Sequence, residues 1–83
     1  MTQLWPEGAP IRVRTADDTP RAFSWAGRRW QVRAVVDQWV VHDNWWRDEI
    51  WRHYFQVETV DGALCVLFRD VLDDAWCLER VYD

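Results

Sequence analysis

Apolar and charged residues alternate along most of this chain, and a period of two predicts strands rather than helices. "IRVRT" (11–15) alternates strictly. "ADDTP" has turn chemistry, "RAFSW" (21–25) reads as a second short strand, and "AG" as another turn. "RRWQVRAVVDQWVV" (28–41) is long and rich in branched and aromatic residues. Trp30, Val32, Ala34 and Val36 keep one phase, whereas Trp39 and Val41 fall on the other. Such a flip predicts a bulge or bend near Asp37-Gln38, which lets a small sheet curl on itself. "HDNWWRDEIW" (42–51) breaks the alternation and reads as a loop, or as one helical turn begun by Asp43.

"RHYFQVETVDGALCVLFRD" (52–70) folds at Asp61-Gly62. A two-residue Asp-Gly loop of type I′ pairs Val60 with Ala63. That register puts Phe55, Val57 and Thr59 on one face with Leu64, Val66 and Phe68. The other face takes Tyr54, Gln56 and Glu58 with Cys65, Leu67 and Arg69. "VLDD" then turns the chain into "AWCLERVYD", where Trp76, Leu78 and Tyr82 share a side, which an odd loop length would place with Val66 and Phe68. Residues 1–10, with two prolines and a glycine, read as an irregular lead-in to a single β-domain over 11–83. The expected fold is all-β with five to six strands. It is a small, strongly bent antiparallel sheet or an SH3-like, partly open barrel.

Composition narrows the function. No run of apolar residues is long enough to cross a bilayer, and the first residues lack the order of a signal peptide, so a cytoplasmic protein is expected. All ten basic residues are arginine. Residues 11–33 carry a net +4 and residues 34–83 a net −7, so charge is segregated along the chain. The available soft metal ligands are His42, His53, Cys65 and Cys77, spaced 11, 12 and 12 apart, without the close pairs that zinc sites use. Ser24 is the one serine and has no nucleophile-elbow pattern; Asp73 and Asp74 sit in turn context. No Gly-rich phosphate loop is present. The reading is therefore non-enzymatic, with no cofactor and no metal.

Two binding surfaces stand out. Trp45, Trp46, Arg47, Ile50 and Trp51 have the composition of a protein hot spot: aromatic anchors with an arginine beside acids. They are the candidate site for a protein partner or for a second copy of the chain. The alternative is single-stranded nucleic acid, held by arginines and indoles interleaved in the basic third: Arg12, Arg14, Trp25, Arg28, Arg29, Trp30 and Arg33.

Phe23, Trp25, Gly27 and Arg28, then Trp45 and Trp46, then "YFQVETVDG" (54–62), then "WCLERVYD" (76–83) follow in order. They resemble a small bacterial family of domains of unknown function with the pattern F-x-W-x-G-R, Trp-Trp, Y-F-x-V-x-T-x-D-G and W-x-L-x-R-V-Y-D. The Trp-Trp pair, the Asp-Gly turn and the terminal Val-Tyr-Asp are also similar to the C-terminal tail of ImuB-type proteins, polymerase-like partners in bacterial translesion synthesis. That likeness implies a non-catalytic interaction module in DNA-damage tolerance, with a translesion-synthesis component as partner.

Overall fold

Alternating stretches separated by tight turns become strands, and the computed structural model describes them over residues 2–45 and 48–82. They are β1 (Thr2–Pro10), β2 (Arg12–Ala16), β3 (Thr19–Trp25), β4 (Arg28–Trp45), β5 (Asp48–Thr59), β6 (Leu64–Asp70) and β7 (Ala75–Tyr82). All neighbours are antiparallel, in the order β1-β7-β6-β5-β4-β3-β2. Asp17 and Asp18 at φ 53° and 62°, and Ala26 and Gly27 at 54° and 70°, make the two-residue turns that join β2 to β3 and β3 to β4.

One residue, Ile11, joins β1 to β2, although these lie at opposite ends of the strand order. A single link of chain spans only a few ångströms, so the sheet must bend until its two edges approach each other. The Ile11 amide completes the approach by donating to the Trp76 carbonyl of β7 at 3.2 Å. Among the described residues no ladder joins β1 to β2, so the sheet is strongly bent but does not close into a barrel.

β4 makes the bend. Its first residues pair with β3 up to Ala22↔Gln31, and from Val32↔Thr59 onward it pairs with β5. Two register shifts follow, at Arg33 and at Val36, where the sequence suggested one near Asp37-Gln38. Each extra residue reverses the facing of those after it. Val32 and Val35 therefore both turn inward, and Trp39 turns to the opposite face.

Four expectations are corrected. First, residues 2–10 are not irregular: Thr2, Gln3 and Leu4 face Tyr82, Val81 and Arg80, and after a break Ala9 and Pro10 face Leu78 and Cys77. The prolines are tolerated because β1 is an edge strand, where a missing N–H loses no ladder bond. With β1 added, the described strands number seven rather than five or six. Second, residues 42–45 and 48–51 are neither loop nor helix but the far ends of β4 and β5, paired from His42↔Trp51 to Trp45↔Asp48, and Trp46 and Arg47 between them lie outside the described residues.

Third, the 52–70 hairpin is one residue out of the expected register. The Thr59 carbonyl accepts from the Gly62 amide, and the Thr59 amide donates to the Ala63 carbonyl, both at 2.9 Å. Gly62 alone in that loop has positive φ, at 89°. This is a three-residue loop closed by a glycine bulge, not a type I′ pair. Thr59 Oγ1 stabilises it by accepting from the Ala63 amide at 3.1 Å. The pairs become Glu58↔Leu64, Val57↔Cys65, Phe55↔Leu67 and Tyr54↔Phe68. A slip of one residue turns all of β6 over. Phe55 and Val57 thus share the core with Cys65 and Leu67, whereas Val66 and Phe68 join Tyr54 on the other face.

Fourth, Trp76, Leu78 and Tyr82 do not share a side: Trp76 and Leu78 face the core, and Tyr82 faces the Phe68 cluster. The register shift that leaves Glu79 unpaired, between Leu67↔Leu78 and Val66↔Arg80, causes it.

The core lies inside the bend. Phe23 from β3 packs over Phe55, Val57, Cys65, Leu67, Leu78 and Val81, flanked by half-buried Trp5, Trp25 and Trp30. The outer face carries the smaller Tyr54, Val66 and Phe68 cluster. Arg52 lies over the Phe68 ring at 4.4 Å, so its apolar stem covers that face.

Candidate functional site

The long halves of β4 and β5 outrun the strands that flank them. β3 leaves β4 at Gln31, and β6 reaches β5 only as far as Arg52. One further bond, from the Val71 amide to the Trp51 carbonyl at 2.9 Å, closes the β5 side. Past that point the two strands form a ribbon paired only with itself. Among the described residues nothing pairs with the outer edge of β4 from Val32 to its end.

Both faces of this ribbon carry exposed apolar groups. Paired residues share a face, so Val40, His42 and Trp51 lie on the core side and Trp39, Val41 and Ile50 on the other. Val40 is 57% exposed; Trp39, Val41, Ile50 and Trp51 are each exposed by about two-fifths. The rings are ordered against one another. His42 stacks on Trp51 at 4.6 Å and donates from Nε2 to Glu49 Oε2 at 2.8 Å. Trp39 stacks on Tyr54 at 5.3 Å, and the Tyr54 hydroxyl accepts from Arg52 at 3.1 Å. His53 donates from Nε2 to Gln38 Oε1 at 3.2 Å. Residues 36–51 carry four acids (Asp37, Asp43, Asp48, Glu49) against Arg47, a net −3.

Of the five residues proposed for a partner, Ile50 and Trp51 are exposed, on opposite faces of β5. Trp45 ends β4 opposite Asp48, its side chain outside the described residues, as are Trp46 and Arg47. Sequence reasoning missed Trp39, Val40 and Val41 as surface, because their alternation reads as a core strand wherever a covering layer is assumed. The signal that would have found them is length. β4 holds 18 residues and β5 holds 12, whereas β3 and β6 hold 7 each.

The basic third is sorted by strand geometry rather than kept interleaved. Trp25 and Trp30 pack against the core, with Trp30 stacked on Phe23 at 6.0 Å. Arg28 lies over the Trp30 ring at 4.0 Å and is bonded to Asp61; Arg33 pairs with Glu58 at 3.7 Å. Arg12, Arg14 and Arg29 are exposed on the opposite face of the same strands.

The residues weighed for chemistry are dispersed. Cys65 is buried in the core, and Cys77 lies on the outer face against Phe68. Burial pushes the Cys77 thiol above its ordinary range; Arg52 lowers it less, and Asp70 raises it slightly. A thiol held protonated is a poor nucleophile. Among the described residues no three His, Cys, Asp or Glu side chains gather as a metal site.

A protein family described as "Domain of unknown function (DUF6504)" matches residues 7–83. No curated protein and no solved structure matches the chain.

Proposed function

The chain belongs to that family of domains of unknown function, and from this premise we propose that it is a non-catalytic protein-interaction module whose docking element is the β4–β5 ribbon. One observation carries the reading: a long strand edge left unpaired among the described residues, flanked on both faces by Trp39, Val40, Val41, Ile50 and Trp51. An open edge presents unpaired amides and carbonyls to an incoming strand, and apolar side chains beside it supply contact area. Isolated two-stranded ribbons are only marginally stable, so this one gains from any layer laid on it. The ribbon's net −3 suits an extended partner segment that carries both basic and apolar residues. Trp45, Trp46 and Arg47 join the reading on their composition alone, as aromatic anchors with an arginine.

The place we propose for this module is DNA-damage tolerance in the cytoplasm, next to a translesion-synthesis component. Support comes from the similarity of Trp45, Trp46, Asp61, Gly62, Val81, Tyr82 and Asp83 to the tail of ImuB-type proteins.

The test is comparative capture from a lysate by wild type, a Trp39→Ala/Trp51→Ala variant and an Arg12→Gln variant, with sedimentation of each protein alone. The expected result is a protein held by wild type and Arg12→Gln but lost from the double variant, binding through an extended basic segment. Equal recovery by all three would remove the ribbon as the docking element. Concentration-dependent dimers of wild type but not of the double variant would assign the edge to a second copy instead.

A further inference from the structure

Away from the ribbon, three arginines on the outer face of β2, β3 and β4 have no acid of their own among the described residues. Arg12 pairs across to Ser24, and Ser24 across to Arg29, so the three form one row on one face. Arg14 is two residues along β2 from Arg12 and occupies the same face, one row on. Neighbouring strands lie about 4.8 Å apart, so the two guanidinium stems rise on either side of the Ser24 hydroxyl, within reach of one small group above it.

Four other arginines take carboxylates: Arg28 takes Asp61, Arg33 takes Glu58, Arg69 takes Asp74 and Arg80 takes Glu79, while Arg52 bonds the Tyr54 hydroxyl. Among the described residues no carboxylate lies within ion-pair distance of Arg12, Arg14 or Arg29, in a chain with more acids than bases. Like charges set side by side on a sheet repel unless an anion sits between them. A shallow cavity of about 260 Å³ opens here, lined by Arg12, Arg14, Ser24 and Arg29. It adjoins one of about 630 Å³ that shares Arg12, Ser24 and Arg29 and adds Trp25, Gly27 and the Asp61-bonded Arg28.

We propose that this face binds the phosphodiester backbone of single-stranded nucleic acid. Arg12 and Arg29 clamp one phosphate over the Ser24 hydroxyl, and Arg14 meets a neighbouring phosphate. Arginine presents forked donors that match phosphate oxygens, and Ser24 adds a neutral donor between the forks. Trp25 reaches the adjoining cavity but packs on the core side of β3 with Trp30, so the arginine row contacts the phosphates alone. Arg28 and Arg33 are engaged with Asp61 and Glu58 and take no part. This surface is separate from the ribbon and does not depend on the protein-docking reading.

The experiment is fluorescence titration of a labelled twelve-nucleotide oligo(dT) at several salt concentrations, with inorganic phosphate as competitor. Wild type should bind at low salt, and log affinity should fall with log salt with a slope of about −1.4 for two phosphates. Arg12→Gln and Arg29→Gln should each weaken binding about tenfold and make the slope shallower by about 0.7. Arg33→Gln should leave both unchanged. Absence of binding at low salt, or equal loss with Arg33→Gln and Arg12→Gln, would overturn the site. So would displacement by millimolar inorganic phosphate, which would reduce it to a free-phosphate site. All three arginines are exposed, so folding is not at stake.

Discussion

Gly8 is the position where a single methyl group should do most damage. It sits in the irregular stretch of β1, at φ 88°, over the outer-face cluster. A Cβ built there would lie 2.6 Å from Phe68 Cζ, 2.9 Å from Phe68 Cε2 and 2.7 Å from Cys77 Cβ. Two costs follow. The left-handed backbone costs a non-glycine residue about 1–2 kcal/mol. The clash adds about 1–3 kcal/mol, the usual range for overpacking, and lies toward the upper end because Cys77 Cβ is fixed to the β7 backbone. Gly8→Ala should therefore lose about 2–5 kcal/mol. Gly62 supplies the control: its φ is 89°, but no atom lies within 4 Å of its added Cβ. Gly62→Ala should lose only the backbone part, about 1–2 kcal/mol. Urea unfolding followed by tryptophan emission measures both, and for a chain of this size each kcal/mol shifts the melting temperature by about 4–8 °C. Phe68→Leu combined with Gly8→Ala should recover part of the loss but not all, since the Cys77 contact remains. Equal destabilisation by Gly8→Ala and Gly62→Ala would refute the close approach of β1 to the Phe68 cluster.

Thr59 is almost wholly buried, and its hydroxyl receives the Ala63 amide. Thr59→Val keeps the shape but strands that amide and should cost about 1–3 kcal/mol by denaturant titration; a neutral effect would contradict the loop hydrogen bonding. Cys77 gives a pH prediction. Its thiol pKa is raised by folding above the ordinary 9.0. The folded state thus holds the proton longer, so this contribution is fully present below about pH 9 and declines as pH rises through the folded value. The urea midpoint of wild type should fall more steeply above pH 9 than that of Cys77→Ala, and parallel profiles would sink the assignment.

The local alternation of apolar and polar residues is enough to specify an all-β chain, and short turn motifs mark where it reverses. "ADD" and "AG" turn where they are read to turn: Asp17, Asp18 and Gly27 take positive φ readily, and Ala26 is carried into it at 54° beside Gly27. That Trp30 and Val32 point inward also follows from alternation. Facing beyond a bulge does not. Asp61-Gly62 is compatible with a loop of two residues or of three, and the choice turns on the Thr59 hydroxyl and on which face of β6 meets the core. The unpaired residues Arg33, Val36 and Glu79 likewise arise where strands must bend around Phe23 and Phe55, a demand no local window contains.

The candidate sites divide along the same line. Composition marks Ile50 and Trp51 as candidate contact residues and Arg12, Arg14 and Arg29 as basic. Only the tertiary arrangement decides that Trp39, Val40 and Val41 lose their covering layer, because exposure depends on where β3 and β6 stop. Only cross-strand pairing sets Arg12 and Arg29 astride Ser24, and turns Trp30 away from them. Strand identity is written into neighbours along the chain. Register, bulges and open edges are set by neighbours across it, brought together when Ile11 ties the two ends of the sheet.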